Sequence, residues 1–406
     1  MTSEPLKVLF IIPTFPCLSE TFIERELCAL EKHNVNITIF ALRGKPSESG
    51  SYVILRRNQI SIMQCCMAFT KNILTFPSII FQVPRYIAKH ITKPLYMFQV
   101  LRNSFYVQYL AQYAKLNDVK HVHAHFADMA TDLAVILNII AKVPFTISIH
   151  ARDFYVSPKL LPHKIQNAHA VFCCSLHLRD AVRTVIQSKN IMLVYHGLNM
   201  ADIFSVAHFG NQVRDRFGVP PKKIKLLGVG RLVSKKGFDI LVRACNILKM
   251  MNVPFDCRII GDGREKHNLR NLIKDFDLCD RVKVCGEKCL KDVVLEYDNA
   301  HALVVPSVIV KDGDRDNIPN IIIEAQAVGL PVIASDLESI KEIIIDDETG
   351  FLCKSGCPAS FATKIYTVFK NYQTQLPLVH QARKIVEKKF NVDKNVRDII
   401  AKWTDE

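Results

Sequence analysis

DRDNIPNIIIEAQAVGLPV, residues 314–332, is the stretch on which the reading of the whole chain turns. Three consecutive isoleucines suggest a strand, but their flanks argue otherwise. Pro319 suits the first position of a helix, Gly329 its termination, and Pro331 the stop beyond. The spacing therefore predicts a helix over 319–328, with Asn320 in its first turn, and a strand over 331–334. Asp316 then falls in the loop before the helix and Glu324 one turn inside it. The helix start carries unbonded N–H groups and a positive dipole end, directed where Asp316 is also directed. An anionic ligand that also bears hydroxyls would satisfy all three. Asp312, Asp314 and Asp316 alternate as in a calcium loop, but Arg315 intervenes and the twelfth-position ligand is missing.

Outward from this stretch the chain alternates short apolar strands with helices. Strands are expected at Ile224–Gly228, Asp256–Ile260, Val282–Cys285 and Ala302–Pro306, separated by helices. The first half repeats the pattern with strands Lys7–Ile12, Asn36–Ala41, His121–His123, Phe145–Ile149 and Ala170–Cys174. A helix Thr21–Glu31 follows the first strand, and Thr21 with Glu24 fits a capping box. Such alternation implies parallel sheets covered on both faces. The expected architecture is α/β, with two Rossmann-like doubly wound domains facing across a cleft, the natural ligand site. The boundaries fall at 1–205, 206–380 and 381–406, the last segment being helices that return to the first domain. Residues 199–223 read as the link.

The 406 residues suffice for two cores, and 49% apolar with 23% charged residues describes a globular chain. No uninterrupted apolar run reaches the roughly 18 residues of a bilayer span. Met1–Lys7 is polar, without the pattern of a secretory leader. The thirteen cysteines lack regular spacing. Neither Cys285/Cys289 nor Cys353/Cys357 has a neighbouring His/Cys pair at zinc spacing, so no metal site is expected. Reduced, mostly buried thiols in a cytoplasmic protein are the expectation.

The net charge of +14 is unevenly placed. Between Glu48 and Asp118 no acidic residue occurs, while Lys, Arg, Phe and Tyr interleave. On amphipathic helices that composition, over about 50–117, suits an anionic membrane surface. It would also suit single-stranded nucleic acid, or a helical insertion whose aromatics are simply core.

Strand 224–228 runs into Gly228-Val229-Gly230-Arg231-Leu232-Val233-Ser234-Lys235-Lys236-Gly237. The third glycine of a dinucleotide fingerprint is missing, since Val233 stands there. Arg231 and Lys236 instead bring two cations to the strand's end, which suits a diphosphate that gains charge on leaving. Solvated loop cations are the plainer alternative. The turns at Gly261-Asp262-Gly263 and Gly286-Glu287-Lys288 leave backbone groups open to a flat base or a sugar.

In combination these motifs resemble the retaining glycosyltransferases of family 4, with the GT-B fold. The resemblance rests on GRLVSKKG, on DNIPNIIIEAQAVGLPVIAS and on EIIIDDETGFL. Ile12–Phe22, His121–Phe126 and Ile149–Asp153 are further similar to the colanic-acid and exopolysaccharide branch. The family's paired acids, usually both Glu, correspond to Asp316 and Glu324, so the first acid here is one methylene shorter. The resemblance implies that Arg231 and Lys236 hold the leaving nucleoside diphosphate and that Glu324 binds the ribose. Asp316, with the backbone of Asn317, Ile318, Pro319 and Asn320, would hold the donor sugar. His125 would lie near the anomeric carbon and His150 nearby. Gly230, Gly263, Glu287 and Lys288 would line the nucleotide, and Ser19 and Glu20 the acceptor side. Thr14–Cys17 replaces the glycine pair of many relatives, so the acceptor contacts do not carry over in detail.

The implied activity is metal-independent transfer of a hexose from a nucleotide-diphosphate sugar to a saccharide or lipid-linked saccharide, with no nucleic-acid partner and no cofactor. A membrane surface, reached through residues 50–117, is a candidate partner. Two other classes share the pattern: a sugar-nucleotide epimerase, needing no acceptor, and a non-catalytic nucleotide-sugar binder.

Overall fold

The computed structural model describes residues 4–17, 20–44, 52–156, 161–186, 190–204, 217–218 and 221–405. The chain forms two units, one from Met1–Val194 with Val396–Glu406, the other from Tyr195–Asn395. Sequence alone places the divisions at 205/206 and 380/381, and the units divide at 194/195 and 395/396. The link over 199–223 includes a helix, Met200–Phe204.

Among its described residues the first unit holds seven parallel strands: β1 (Leu6–Thr14), β2 (Val35–Arg43), β3 (Val53–Arg56), β4 (His121–His125), β5 (Phe145–Ile149), β6 (Ala170–Cys173) and β7 (Ile191–Leu193). Their order is β3-β2-β1-β4-β5-β6-β7. Val8 to Ile12 are buried on both faces of β1, as a central parallel strand requires. Helix Thr21–Lys32 packs Ile23, Leu27 and Leu30 inward. The expected Thr21/Glu24 capping box does not form. Glu20 occupies the N-cap and Thr21 is already the first helical residue, so its hydroxyl sits one position too late to cap. Ser19 lies outside the described residues.

The basic, aromatic segment adds β3 to the sheet edge and then three helices, Ile62–Thr75, Ile79–Ala88 and Pro94–Leu116. Asp132, fully buried on helix Met129–Ala141, fastens them. It accepts from the Tyr86 hydroxyl at 2.6 Å and from that of Tyr96. Lys164 Nζ lies 2.9 Å and His90 Nε2 3.2 Å from the same carboxylate. Burial acts to raise this carboxyl's pKa, but Lys164, His90 and the hydroxyl donors outweigh it and hold it below the ordinary range. The reading of the segment's aromatics as core therefore holds for Tyr86 and Tyr96.

Among its described residues the second unit has six parallel strands: β8 (Ile224–Val229), β9 (Phe255–Ile260), β10 (Val282–Val284), β11 (Ala302–Val305), β12 (Val332–Ser335) and β13 (Phe351–Cys353), in the order β10-β9-β8-β11-β12-β13. In each sheet the order reverses once, between β1 and β4 and between β8 and β11. Ligands of doubly wound sheets bind at that switch, beyond the carboxyl ends of the strands. Residues 320–327 are helical despite their isoleucines, with Ile322, Ile323 and Ala325 buried. Pro319 is the N-cap and not the first helical residue, since its ψ of 126° is extended. Gly329, at φ 70°, ends the helix as expected.

All thirteen cysteines are free, and six are buried: Cys65, Cys173, Cys174, Cys245, Cys257 and Cys353. The expectation of mostly buried thiols thus fails, because the others fall on helix surfaces, in loops and at the ends of helices or strands. Among the described residues no helix is long and apolar enough to cross a membrane.

Candidate functional site

At the switch of the second sheet, β8 ends in Gly230 and Arg231, and a short 3-10 turn, Ser234–Lys236, follows. Gly237 lets that turn settle against the end of β11. At φ 62° a Cβ there would stand 1.9 Å from the Pro306 carbonyl oxygen. The turn thereby meets the loop that carries the acids. Lys236 Nζ lies 2.8 Å from Asp316 Oδ2, and Lys235 Nζ 2.9 Å from Asp314 Oδ1 and 3.7 Å from Asp316 Oδ1. Ser307, just beyond β11, donates to Asp316 Oδ2 at 2.8 Å, while Ser339 donates to the Asp316 carbonyl at 3.2 Å.

Burial alone would raise the Asp316 pKa. Lys236 and Lys235, with the hydrogen bonds from Lys236 and Ser307, overcome it and keep the group below the usual carboxylate range. Asp316 is thus a fixed anion only 9% exposed, with a lysine ammonium against it. Glu324 is also buried, and Tyr297 donates to its Oε2 at 2.9 Å. The amide oxygen of Asn320, in the first turn of the same helix, is shielded from solvent without a partner among the described residues.

The neighbouring strand ends close up through glycine as well. A Cβ on Gly261 would lie 1.9 Å from the Gly230 carbonyl oxygen. Arg231 is exposed at this edge. Gly263 donates its N–H to Asp262 Oδ1 at 2.7 Å. Glu287 is exposed, whereas Lys288 turns to Glu296, which Arg258 also meets at 2.9 Å. Asn317 is half-buried, and Ile318 and Pro319 are buried.

The first unit's switch is built from rings. His125, at the end of β4, is 1% exposed and places Nε2 3.1 Å from Glu26 Oε1. It stacks on Phe10 and on His150, with centroids 6.0 and 6.2 Å apart. His150 follows β5, its N–H donating to Asp153 Oδ2 at 2.9 Å and its ring lying 4.4 Å from that of Phe126. Glu20 is half-buried at the N-cap of its helix. Behind His125, Thr146 Oγ1 meets Trp403 Nε1 at 2.8 Å, His123 Nδ1 at 2.8 Å and His121 Nε2 at 3.0 Å.

A hydroxyl has one proton to give, and the indole can only donate, so one ring donates to Thr146 and the other accepts. His121 Nδ1 has no partner. A proton on Nε2 of that ring leaves an acceptor unpaired, cheaper than an unpaired donor. His123 then accepts at Nδ1 and donates from Nε2 to Ser148 at 3.0 Å. Burial, then the nearby His169, push His121 down to about 3, and burial holds His123 well below its ordinary value. Glu26, His123 and His125 bring one potential metal-ligating atom each within 4.8 Å of one another. Both His123 nitrogens are already engaged by hydroxyls.

The structure therefore brings Lys236 together with Asp316, and His125 with His150. Sequence reading missed Lys235, Ser307, Tyr297, Glu26 and Thr146. Lys235 stood in the quoted motif and could have been found there; Ser307 lies nine residues from Asp316, and the others are joined to their partners only by long-range pairing.

Residues 211–385 match the family model described as "Glycosyl transferases group 1". The amylovoran biosynthesis glycosyltransferase AmsK of Erwinia amylovora is 35% identical over 183 residues, 45% of this chain and 44% of that one. The match thus spans less than half of that relative's length. Among solved structures, a glycosyltransferase from Rickettsia africae has a TM-score of 0.70 at 17% identity, covering 98% of both chains. Anabaena Alr3699/HepE, solved in complex with UDP and glucose, has a TM-score of 0.70 at 16% identity, covering 99% of this chain and all of that one.

Proposed function

With a group 1 glycosyltransferase domain at residues 211–385 on a GT-B fold as the premise, we propose that this chain is a retaining glycosyltransferase. It would move a hexose from a nucleotide-diphosphate sugar to a saccharide or lipid-linked saccharide in exopolysaccharide synthesis. The observation that carries the reading is the 2.8 Å contact between Lys236 and Asp316. The cation suited to a leaving phosphate and the anion suited to sugar hydroxyls stand side by side, as they must where a sugar–phosphate bond breaks. The AmsK likeness and the UDP complex of HepE support the class of reaction and of donor.

The acceptor oxygen attacks the anomeric carbon on the face from which the diphosphate departs. The bond from that carbon to the phosphate oxygen breaks, and the leaving oxygen takes the acceptor's proton. Arg231 and Lys236 stabilise the charge that develops there, the kind of contribution that dominates in such sites. These cations and the helix start at Asn320 supply what a divalent ion otherwise would, so turnover should persist in chelator. A lipid-linked acceptor would set the reaction at the cytoplasmic face of the membrane.

Thermal unfolding with UDP, GDP, ADP and CMP in turn tests the reading. One nucleoside diphosphate should raise the wild-type midpoint and fail to raise that of Arg231→Ala. No shift with any of them would refute the donor site. Product analysis with donor alone separates transfer from epimerisation.

A further inference from the structure

Helix Ile62–Thr75 is built inside out. The side chains it buries are Cys65, Ala68 and Asn72, two small and one polar, with only Ile73 half-buried beside them. Asn72 is held there by bonds from its Nδ2 to the Gln108 carbonyl and to Gln108 Oε1, both at 3.0 Å. The residues it turns to solvent include Met63, Met67 and Leu74, exposed by 70%, 57% and 78%. A helix stabilised only by its own core would do the reverse.

The next two helices continue the pattern. Ile79–Ala88 buries Val83 and Tyr86 but exposes Phe81, and Pro94–Leu116 exposes Leu95 and Phe98 near its start. Of the twenty large apolar side chains exposed among the described residues, twelve lie between Ile62 and Leu101. That concentration far exceeds the scattered exposure normal for a soluble surface. Loose packing does not explain it, since the Asp132 network fixes Tyr86, His90 and Tyr96 in the interior.

Charge identifies the occupant. From Ile62 to Arg102 there are five cations, Lys71, Arg85, Lys89, Lys93 and Arg102, and no Asp or Glu. All five are exposed among the apolar side chains. A second copy of the chain would bring five like charges against five, and a protein partner would have to supply all the acids. A bilayer with anionic headgroups offers apolar depth and negative charge at one surface. We infer that the face formed by these three helices docks on an anionic membrane, lying in the interface without crossing it. This deepens the lipid-linked form of the proposed reaction by giving the enzyme its own hold on the surface where such an acceptor resides.

The test is co-flotation of the full chain with vesicles of phosphatidylcholine, with and without phosphatidylglycerol, in the absence of donor. Binding is expected only with phosphatidylglycerol and should weaken as salt is raised. Arg85→Gln/Lys89→Gln should lower partitioning roughly 25-fold, about fivefold per cation. Phe81→Ser/Phe98→Ser should abolish it, with the melting midpoint held within a few degrees as the control for folding. Equal binding by either double variant, or absence of binding by the wild type, overturns the inference. So does a dimer that Phe81→Ser/Phe98→Ser dissolves while vesicles are ignored, which would assign the face to a second copy. The UDP or GDP melting shift, unaffected by these surface variants, shows separately whether the donor reading stands.

Discussion

The two sheets reverse their strand order in the same way but furnish the switch point with opposite chemistry. At β8/β11 the site is ionic: Lys235, Lys236, Asp314 and Asp316 lie within 4 Å of one another in pairs. At β1/β4 it is a stack of buried rings, with hydrogen bonds shared among neutral imidazoles and hydroxyls. A charged group transferred and released requires fixed counter-charge. A packed wall of rings needs rigidity and little charge. The comparison teaches that one topology fixes where a ligand can sit, while the side chains at the strand ends decide which chemistry is available there.

The largest effect should come from the ring side. Thr146→Val removes the one oxygen shared by His121, His123 and Trp403, leaving three buried nitrogens short of a partner. A loss of about 3–5 kcal/mol is expected in denaturant unfolding. A loss below about 1 kcal/mol would mean the rings repack, and the rigid-wall half of the comparison would fail.

The two sites should also part company with pH. Folded His121 stays neutral to about 3, whereas an unfolded histidine takes up a proton near 6.5. The unfolded state therefore binds more protons below 6.5, and stability is lost as the pH falls toward 3. Compared with His121→Gln, the wild type should lose about 4 kcal/mol over that window. Asp153, pushed up to about 7 by burial, changes in the opposite sense, but it is present in both proteins and cancels. Asp316 has a lowered pKa, so its contribution is fully present above 3.8 and disappears only as the pH falls through its lower folded value. Asp316→Asn should accordingly show a constant deficit from mildly acidic to neutral pH. A deficit that began to shrink near 6 would contradict the ionic reading.

On the ionic side, Lys236→Ala should lower turnover at least about 100-fold, as loss of an oxyanion donor does. A near-normal turnover would sink the assignment. The double variant Lys236→Ala/Asp316→Asn separates two causes. If Lys236 only neutralises Asp316, removing both charges restores folding and part of the rate. If it serves the departing phosphate, the rate stays low. His125→Ala should reduce turnover while leaving the nucleotide melting shift intact, because its partners belong to the other unit.

Much of this contrast was legible in the sequence, for a physical reason. Buried parallel strands need unbroken apolar runs, and helix ends need Pro and Gly, so β1, β8 and the helix at Asn320–Ala327 announced themselves. Lys236 and Asp316 were each visible at a strand end or loop, but their contact spans 80 residues and had no local sign. The contact between Tyr297 and Glu324 was further hidden because a buried tyrosine looks like any core aromatic. Trp403 reaches Thr146 across 257 positions, which no periodicity encodes. The inverted helix at Ile62–Thr75 was invisible for another reason. Composition tells that apolar and basic residues interleave, but not which of them the neighbouring helix covers.

The smallest expected effect is the most discriminating. Tyr297→Phe deletes only the hydroxyl that donates to Glu324 at 2.9 Å. Stability should fall by about 0.5–1.5 kcal/mol, the usual net value for one intramolecular hydrogen bond. The informative quantity is the ratio of affinities for the ribo and 2′-deoxyribo forms of the bound nucleotide. If Glu324 receives the ribose hydroxyls, that ratio depends on how firmly its carboxylate is aimed, and it should shrink severalfold in the variant. Affinity for the diphosphate portion, which the proposed site assigns to Arg231 and Lys236, should hold. An unchanged ratio beside the lowered stability would make Glu324 a core anion, and the ribose contact would have to be sought elsewhere in the second unit.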